Sequence, residues 1–561
     1  MATFDLGRFR DLAFGRRQLP DHPMHDVAEA KKLLALLPEG DSAYAIAELT
    51  HWTASMNATE SFTPGRRGRI LMLMHEASRP IWRELGQRYL APDGTPTESK
   101  DGDPAILRAM WDSASEFSDG FARALDTSAQ DSKWVRQNRA ALLIGNLRWL
   151  NRRLALAYML QGGQIAAIWE RLHRLYASAV ENDVLRTALP AHEGARYNTT
   201  AHIEYARPLL LDLANPGGVR PREVELLYRI AARVATAVRL DNEPSAEANF
   251  AVVPASDGRP AALHGAKAAV KPGGCPPLYI ATANCLPRLR AALERDLGRD
   301  PSEEDTVFGR GFTIGERKAM VNRALEHWGM DPPRRRTRRI GMAAAARVIA
   351  GFDLVLGVLP PPERTASEDA GSARRRLQLE LDATSKSLKR AKVQAARVGP
   401  ARVIDASAGG LGIAIKRTDA RWAVHGALLA ITIEPDGDWF LGVLRRIFSV
   451  ENEFRLGIQV LAAKPKVVTL RADTVKRDEV WADAMKYEAA FREHYQRGIL
   501  LEPQALPLAD GEMLLSSGRA SRGTQFGVPL ATGEQRIRVT RVVENNEHFQ
   551  RVMFESLGVG D

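Results

Sequence analysis

Apolar residues recur at helical spacing through most of the first 330 positions of this chain. The most regular stretch covers residues 134–161, where the apolar positions are Leu143, Leu147, Leu150, Leu154 and Tyr158. Their intervals of four, three, four and four place the side chains on one helix face. The same spacing predicts helices over residues 26–37, 70–90, 105–125, 164–180, 201–213, 222–238, 287–297 and 315–328. Since no fixed-period repeat is present, we predict a helical bundle or an irregular solenoid.

Residues 248–281 interrupt the helical pattern. Short apolar runs at residues 250–253 and 278–282 lie on either side of a turn sequence, Ser256-Asp-Gly-Arg-Pro260. β-branched and aromatic runs bounded by glycine and proline are typical of short strands or extended loops. We therefore predict an irregular insert within the helical region.

The pattern changes to short alternating runs after residue 340. These runs predict strands over residues 340–359, 403–405, 411–415, 428–433, 439–448 and 454–460, separated by Gly, Pro, Asp and Asn. The segment Glu434-Pro-Asp-Gly-Asp438 predicts a hairpin turn, because proline presets φ and glycine tolerates positive φ. Together these features predict a small antiparallel β-barrel.

A helical pattern interrupts this strand series between residues 360 and 400. Its apolar stripe consists of Leu377, Leu381, Thr384, Leu388, Ala391 and Ala395, and prolines stand at both ends. A barrel tolerates such an insertion in a loop, since closure entropy grows slowly with loop length.

The last ninety residues predict a helix at residues 480–497 and strands at 499–501, 512–515, 524–529, 535–543 and 548–555. We predict three domains: a helical scaffold over residues 1–330, a barrel with a helical insertion over 332–470, and a C-terminal helix with a small β-module over 475–561. The predicted fold class is multidomain α+β.

Composition and charge indicate the class of protein and its expected cellular location. The chain has 561 residues, of which 45% are hydrophobic and 26% are charged, as in ordinary globular proteins. No apolar run approaches the ~20 residues needed to cross a bilayer, and no signal peptide is evident at the N-terminus. The two cysteines, Cys275 and Cys285, are too few for a disulfide framework or a thiolate metal site. We expect a cytoplasmic protein whose formal charge of +10 permits acidic partners.

Candidate binding chemistry is concentrated in two short motifs. The cluster Arg334-Arg-Arg-Thr-Arg-Arg339 precedes the strand that begins at Ile340, and Asp405-Ala-Ser-Ala-Gly-Gly410 lies between two later strands. Guanidinium groups pair bidentately with phosphates and stack on bases. Asp and Ser side chains hydrogen-bond ligand edges, and glycine lets the backbone approach closely. The pair of motifs therefore favours an anionic purine nucleotide.

This pair of motifs resembles the PilZ domain family, whose members bind cyclic di-GMP through an R-x-x-x-R segment and a D/N-x-S-x-x-G turn. Arg335 and Arg339 match the first motif, because a strand opens directly after the second arginine. Arg334 and Arg338 have the same spacing, which leaves the register open. The resemblance covers about residues 332–470, including the Gly-Val and Gly-Ile strands near residues 442 and 457.

The second PilZ motif is matched by Asp405, Ser407 and Gly410. The sequence departs from the family pattern in the distance between the two motifs, which such domains usually place one short strand pair apart. The helical insertion at residues 360–400 accounts for the excess.

The resemblance implies a bacterial receptor in signal transduction that binds cyclic di-GMP, with no catalytic residues, cofactor or metal. Arg335 and Arg339 would clamp phosphates and stack on guanine, with Arg334 and Arg338 assisting. Asp405 and Ser407 would contact a base or phosphate edge, and Gly410 would keep the turn close to the ligand. Ligand binding would change interdomain contacts or contacts with a protein partner on the helical region.

Two other functions remain open from the sequence. One is a degenerate PilZ-like scaffold that binds protein partners and no ligand. The other is a nucleic-acid-binding protein that uses the arginine cluster. Nucleic acid is disfavoured, because no aromatic residues are interleaved with the arginines and no helix-turn-helix or zinc-finger spacing accompanies them. No nucleophile elbow, kinase motif set or metallohydrolase motif is present, so we do not predict an enzyme.

Overall fold

The computed structural model describes residues 20–38, 40–90, 102–126, 133–162, 164–254, 258–263, 276–297, 308–309, 311–333, 339–364, 400–420, 422–433, 437–450, 452–472, 495–502, 504–530 and 533–560. Backbone contacts divide the chain into two compact units. The first consists of residues 1–216 and 220–334, and the second of residues 217–219 and 335–561. In the described residues the first unit is mainly helical, and the second is mainly built of strands.

The helices of the first unit are amphipathic and pack through their apolar faces. They are α1 (Val27–Leu34), α2 (Ser42–Ala58), α3 (Pro64–Leu90), α4 (Pro104–Leu125), α5 (Lys133–Gln137), α6 (Arg139–Met159), α7 (Ile165–Glu181), α8 (Ala201–Leu213), α9 (Pro221–Val234), α10 (Cys285–Leu297) and α11 (Ile314–His327). Helix α6 is central, since it packs against α4, α7, α8 and α9. Its predicted apolar stripe is confirmed, because Leu143, Leu147, Leu150 and Leu154 are fully buried.

Two details of the helical unit differ from the sequence prediction. Residues 134–161 form two helices, which meet at Asn138, whose side-chain amide donates to the Trp134 carbonyl at 2.9 Å. Helix α2 was not predicted, because Ala45 and Thr53 occupy two positions of its buried face. Small residues of this kind do not stand out from the exposed Ala and Thr of the same helix, so the stripe is weak in the sequence.

The interrupted region around residues 248–281 forms part of a sheet, and its predicted strands are confirmed. The strands β3 (Arg239–Asp241), β4 (Phe250–Val252), β5 (Ala261–Ala262) and β6 (Leu278–Ala281) associate in the order β3-β6-β4-β5. The Asn249 side chain donates to the Thr282 hydroxyl at 2.8 Å and to the Trp328 carbonyl at 3.0 Å, which ties the sheet to the end of α11. Two earlier short strands, β1 (Leu189–Pro190) and β2 (Asn198–Thr199), pair with each other.

The predicted barrel is confirmed as a closed six-stranded antiparallel sheet in the order β10-β13-β12-β11-β7-β9. Its strands are β7 (Ile340–Ala350), β9 (Pro400–Ser407), β10 (Gly410–Lys416), β11 (Leu428–Ile433), β12 (Phe440–Val450) and β13 (Glu453–Ala462), and a short strand β8 (Glu363–Arg364) lies outside it. Buried aliphatic side chains from all six strands fill the interior, among them Val348, Val403 and Ile413. Alternate residues of each strand face inward, which explains the period-two pattern of the sequence.

The prediction of one strand over residues 340–359 is wrong beyond Ala350. Gly351 has a φ of 101°, and the chain then forms a short helix, α12 (Phe352–Leu356). A short apolar run does not distinguish a strand from a buried helical turn by periodicity alone. Most of the predicted insertion falls on residues 365–399, which lie outside the described residues.

The C-terminal β-strands close into a second six-stranded antiparallel barrel in the order β14-β15-β17-β20-β19-β18. These strands are β14 (Lys466–Ala472), β15 (Tyr495–Leu500), β17 (Gly511–Leu515), β18 (Gln525–Pro529), β19 (Glu534–Asn545) and β20 (Gln550–Gly560); a short strand β16 (Ala505–Leu506) pairs with β8. Strand β14 belongs to this barrel, although its first residues fell within the range predicted for the first. The predicted helix over residues 480–497 lies mostly on residues outside the described part, and its last three residues belong to β15.

The two barrels share one hydrophobic cluster. Leu441 and Val443 of the first barrel pack in this cluster with Ile499, Leu514 and Phe549 of the second. The Arg445 guanidinium also donates two hydrogen bonds to the Glu544 carboxylate, at 2.8 and 2.9 Å. The fold is thus multidomain α+β, with a helical N-terminal region followed by two closed barrels that pack together. None of the helices in the described part of the chain has both the length and the apolar character that a bilayer-spanning segment requires.

Candidate functional site

The two predicted motifs meet on the first barrel through Arg339 and Asp405. Arg339 immediately precedes β7, and Asp405 lies near the end of β9, 66 positions later. Pairing of β7 with β9 places Ile340 opposite Ala406 and Gly341 opposite Asp405. The Arg339 Nη1 atom consequently lies 2.8 Å from Oδ1 and 2.9 Å from Oδ2 of Asp405. The barrel therefore brings the second arginine of the first motif into contact with the acid of the second.

The Asp405 carboxylate is only partly satisfied by this contact. Arg339 donates its hydrogen bond to Oδ2, and its Nη1 atom also lies 2.8 Å from Oδ1, which is buried and accepts no hydrogen bond of good geometry from the described residues. The side chains of Arg339 and Asp405 are 31% and 26% exposed, so solvent and ligands reach the pair. Oδ1 is thus an acceptor on an otherwise accessible carboxylate, a geometry that suits a ligand carrying an N–H or O–H donor.

A β-bulge places Asp405 at this position. Strand β10 pairs Gly412 with Asp405 but Ile413 with Val403, so Ile404 has no partner across that ladder. The Val403 side chain points into the barrel core. In a regular strand, the side chain two residues later, Asp405, would point into the core as well. A bulge bends the strand and changes the direction of the side chains that follow it. The irregular pairing therefore allows a carboxylate to follow a core valine at two-residue spacing.

Two glycines flank Asp405 on the neighbouring strands, and sequence reasoning missed the role of one of them. A Cβ atom on Gly412 would lie 2.6 Å from Asp405 Oδ1, whereas a Cβ atom on Gly341 would meet no atom within 4 Å. Gly412 thus leaves the space that the Asp405 carboxylate occupies. The alternation of glycines at 410 and 412 was visible in the sequence, but the contact depends on the register of β9 and β10.

Ser407 and Gly410 lie at the base of a two-residue hairpin. They pair with each other across β9 and β10, and the connecting turn is Ala408-Gly409. The Ser407 hydroxyl donates to the Gly410 carbonyl at 3.2 Å. A Cβ atom on Gly410 would lie 2.7 Å from the Ile458 carbonyl oxygen, so this glycine permits the close approach of β10 and β13.

The prediction that Asp405, Ser407 and Gly410 all lie in a turn is therefore corrected. Asp405 and Ser407 belong to strand β9, and Gly410 begins β10. The remaining arginines of the first motif, Arg334, Arg335 and Arg338, lie outside the described residues, and the structure does not test their predicted roles.

A family of known proteins is similar to part of the helical unit. Residues 28–245 match a family model described as the N-terminal domain of the cyclic-di-GMP receptor FimW. The match covers less than half of the chain and lies within the helical unit, from α1 to just after β3. No curated protein matches the chain. The ligand that the barrel motifs predicted is thus the ligand named for a family that matches a different region of the same chain.

Proposed function

We propose that this protein is a cyclic-di-GMP receptor whose ligand binds the first barrel, between the start of β7 and the end of β9. The contact between Arg339 and Asp405 carries the proposal. It joins two motifs that are far apart in the sequence into one accessible cluster with a cation, an acceptor and backbone glycines. The family named for residues 28–245 supports the same ligand from an independent part of the chain.

Guanine and phosphate chemistry fits this cluster. Arginine donates bidentately to phosphate oxygens and to the O6 and N7 acceptors of guanine. The exposed pyrimidine edge of guanine carries N–H donors, including the N2 amino group, and Asp405 Oδ1 is an acceptor to which the described residues donate no hydrogen bond of good geometry. Adenine has no amino group at this position. The Asp405 carboxylate therefore favours a guanine ligand over an adenine ligand.

The roles of the other motif residues follow from the PilZ resemblance. Arg335 supplies a second guanidinium to the phosphates and base, with Arg334 and Arg338 as further cations. Ser407 accepts a hydrogen bond at the ligand edge while its own proton holds the hairpin, and Gly410 keeps the hairpin close to the barrel. We propose that binding changes the contacts of the barrel with the helical unit or with a protein partner in the cytoplasm, and that the protein acts as a receptor and not as an enzyme.

Isothermal titration calorimetry of the full chain with cyclic di-GMP tests the site. The double variant Arg335→Ala, Arg339→Ala should lose about 100-fold or more in affinity, because each charge-assisted hydrogen bond contributes about 1.5–3 kcal/mol. Arg402→Ala is the matched control, since Arg402 lies on β9, as Asp405 does, and pairs with a carboxylate of the same barrel, Glu453 at 3.4 Å. Cyclic di-AMP should bind at least tenfold more weakly than cyclic di-GMP.

Three results would contradict the proposed site. Wild-type affinity in the double variant would place the ligand elsewhere. An equal loss of affinity in Arg402→Ala would show that binding depends on the overall positive charge of the barrel and not on the two motif arginines. Absence of heat with the wild-type protein would favour the scaffold function. Binding to any DNA duplex with a steep salt dependence, unchanged by Asp405→Ala, would favour a nucleic-acid-binding protein.

A further inference from the structure

The helical unit contains a cleft of about 750 Å³ that is separate from the barrel motifs. Helices α3 and α6 supply most of its walls, with further residues from α4, α8 and α9. On α3 the lining residues His75, Arg79, Trp82 and Arg83 recur at spacings of four, three and one, so they share one helix face. This volume is in the range of small-molecule sites.

The cleft is lined by more positive than negative charge. Its cationic side chains come from four helices and are Arg79, Arg83, Arg148, Arg152, Arg207 and Arg229. Their carboxylate partners are Glu76, Glu204 and Glu225. Six guanidinium groups thus face three carboxylates.

Neighbouring arginines favour the charged form of two of these carboxylates, Glu204 and Glu225. Burial by itself would raise the pKa of Glu225, but Arg152 and Arg229 outweigh burial and hold its pKa below the usual value. The pKa of Glu204 is lowered in the same way by Arg207 and Arg148. Excess positive charge in a partly enclosed site favours an anion.

Arg83 and two indole groups supply unused donors. Arg83 is exposed and makes no ion pair with any residue in the described ranges. The Nε1–H groups of Trp82 and Trp149 are buried and have no acceptor within the described part of the chain. Both tryptophans are more than nine-tenths buried, and both line the cleft. An indole N–H is a donor only, so an acceptor oxygen is needed to satisfy it.

Aromatic side chains also line the cleft, among them Trp82, Trp149 and Tyr228. Trp149 stacks on Phe117 with 4.3 Å between ring centroids, and Trp82 contacts Trp149 edge to face at 5.1 Å. The Arg152 guanidinium lies 4.3 Å from the centre of the Tyr228 ring. A nucleotide combines the two features that this surface recognises: phosphate oxygens for guanidinium and indole donors, and a flat base for aromatic and guanidinium faces.

We propose that this cleft of the helical unit is a second ligand site, which binds a phosphate-bearing nucleotide. Arg83 and the indole N–H groups of Trp82 and Trp149 contact phosphate oxygens, and the paired arginines behind them supply the surrounding positive potential. The site does not depend on ligand binding at the barrel.

Calorimetric titration of the full chain with ATP, GMP and cyclic di-GMP tests this site, with Arg335→Ala, Arg339→Ala as the background so that the barrel motif does not contribute. At least one of the three should bind. Arg83→Glu should then weaken that binding about tenfold or more, and Trp82→Phe, which keeps the ring and removes the N–H, about threefold to tenfold. Arg88→Glu reverses a charge on the same helix outside the cleft lining and should stay within about twofold.

Thermal unfolding of each variant separates loss of binding from loss of folding, and Arg83→Glu should unfold as the background protein does because Arg83 is exposed. The proposal is overturned if none of the three nucleotides binds to the background protein. It is also overturned if binding persists unchanged in both Arg83→Glu and Trp82→Phe, or if inorganic pyrophosphate binds as tightly as the best nucleotide. The two sites are tested separately, because the loss of cyclic-di-GMP affinity from the wild-type protein to the double arginine variant tests the barrel, whereas Arg83→Glu and Trp82→Phe in that background test the cleft.

Discussion

The glycines that flank Asp405 give the sharpest test of the barrel site. Gly412→Ala would introduce a Cβ atom 2.6 Å from Oδ1, 2.8 Å from Cγ and 2.9 Å from Oδ2 of Asp405. Non-bonded heavy atoms prefer separations of about 3.5 Å, so the carboxylate must retreat by roughly 1 Å. Such a movement would break its contact of 2.8–2.9 Å with Arg339.

The expected cost is larger for binding than for stability. Overpacking costs about 1–3 kcal/mol in a closed core, and a partly exposed carboxylate places this change near the lower limit. Replacement of a strand glycine by alanine also restricts the unfolded chain, which offsets about 0.4–1 kcal/mol. We therefore expect the free energy of unfolding to fall by at most about 1 kcal/mol. Affinity for cyclic di-GMP should fall about tenfold to 100-fold, through the loss of one charge-assisted contact.

Gly341→Ala is the matched control. Gly341 lies opposite Asp405 on the other neighbouring strand, and its added Cβ atom would meet nothing within 4 Å. Denaturant unfolding and calorimetry of the two variants cancel the glycine effect on the unfolded chain, because both replacements are made in strands. Retention of wild-type affinity in Gly412→Ala would show that the position of Asp405 is irrelevant to binding. An equal loss in both variants would show that any added side chain on these strands disturbs the barrel.

Three further predictions concern the helical unit and the packing of the barrels. Burial and the neighbouring Arg148 lower the pKa of His75 to about 4. As pH falls below about 6.5, the unfolded state therefore binds a proton that the folded state does not, and the free energy of unfolding in denaturant should decline from pH 6.5 towards 4. The decline should be less steep in His75→Gln. Burial raises the pKa of the Cys285 thiol to about 12, so in a Cys275→Ser background a thiol reagent at pH 8 should react only after unfolding, and fast labelling of the native protein would contradict the burial. Phe549→Ala removes a fully buried ring from the cluster shared by the barrels, so it should lower the free energy of unfolding by about 3–5 kcal/mol, with both barrels unfolding in one transition. The control Leu557→Ala, on the exposed face of β20, should lower it by less than about 0.5 kcal/mol. Separate melting of the two barrels in Phe549→Ala would contradict the shared core.

Local sequence patterns predicted the elements of this fold well, because side-chain periodicity depends on the element alone. The stripe on α6 and the alternation at the start of β9 and in the first half of β19 are direct consequences of which face is buried. Closure of the second barrel was not predicted, since it requires β14 to leave the series of the first barrel and pair with β15 and β18. Pairing partners of this kind are set by long-range packing, which a local pattern does not contain.

For the two sites as well, the residue types are visible in the sequence, but the contacts that depend on long-range packing could not be predicted. The types of residue at the barrel site could be read from the motif, but the bulge at Ile404 and the clearance at Gly412 exist only after β9 has paired with β7 and β10. The cleft in the helical unit was not predicted at all. Its arginines are contributed by four helices, and in the sequence each appears as an ordinary charge on an amphipathic helix.

The barrel site also explains why a ligand should stabilise the protein beyond its own contacts. A buried acceptor that loses its donor costs about 1–3 kcal/mol. If phosphate takes over the hydrogen bonds of Arg339, the Asp405 carboxylate loses the cation that lies 2.8–2.9 Å from its two oxygens, and this cost arises unless the same ligand brings donors to Asp405. A simple phosphate satisfies the arginine alone, whereas a guanine nucleotide satisfies both groups at once. If the proposed barrel site is correct, the pairing of Arg339 with Asp405 would therefore select for a ligand that carries phosphate and N–H donors in one molecule.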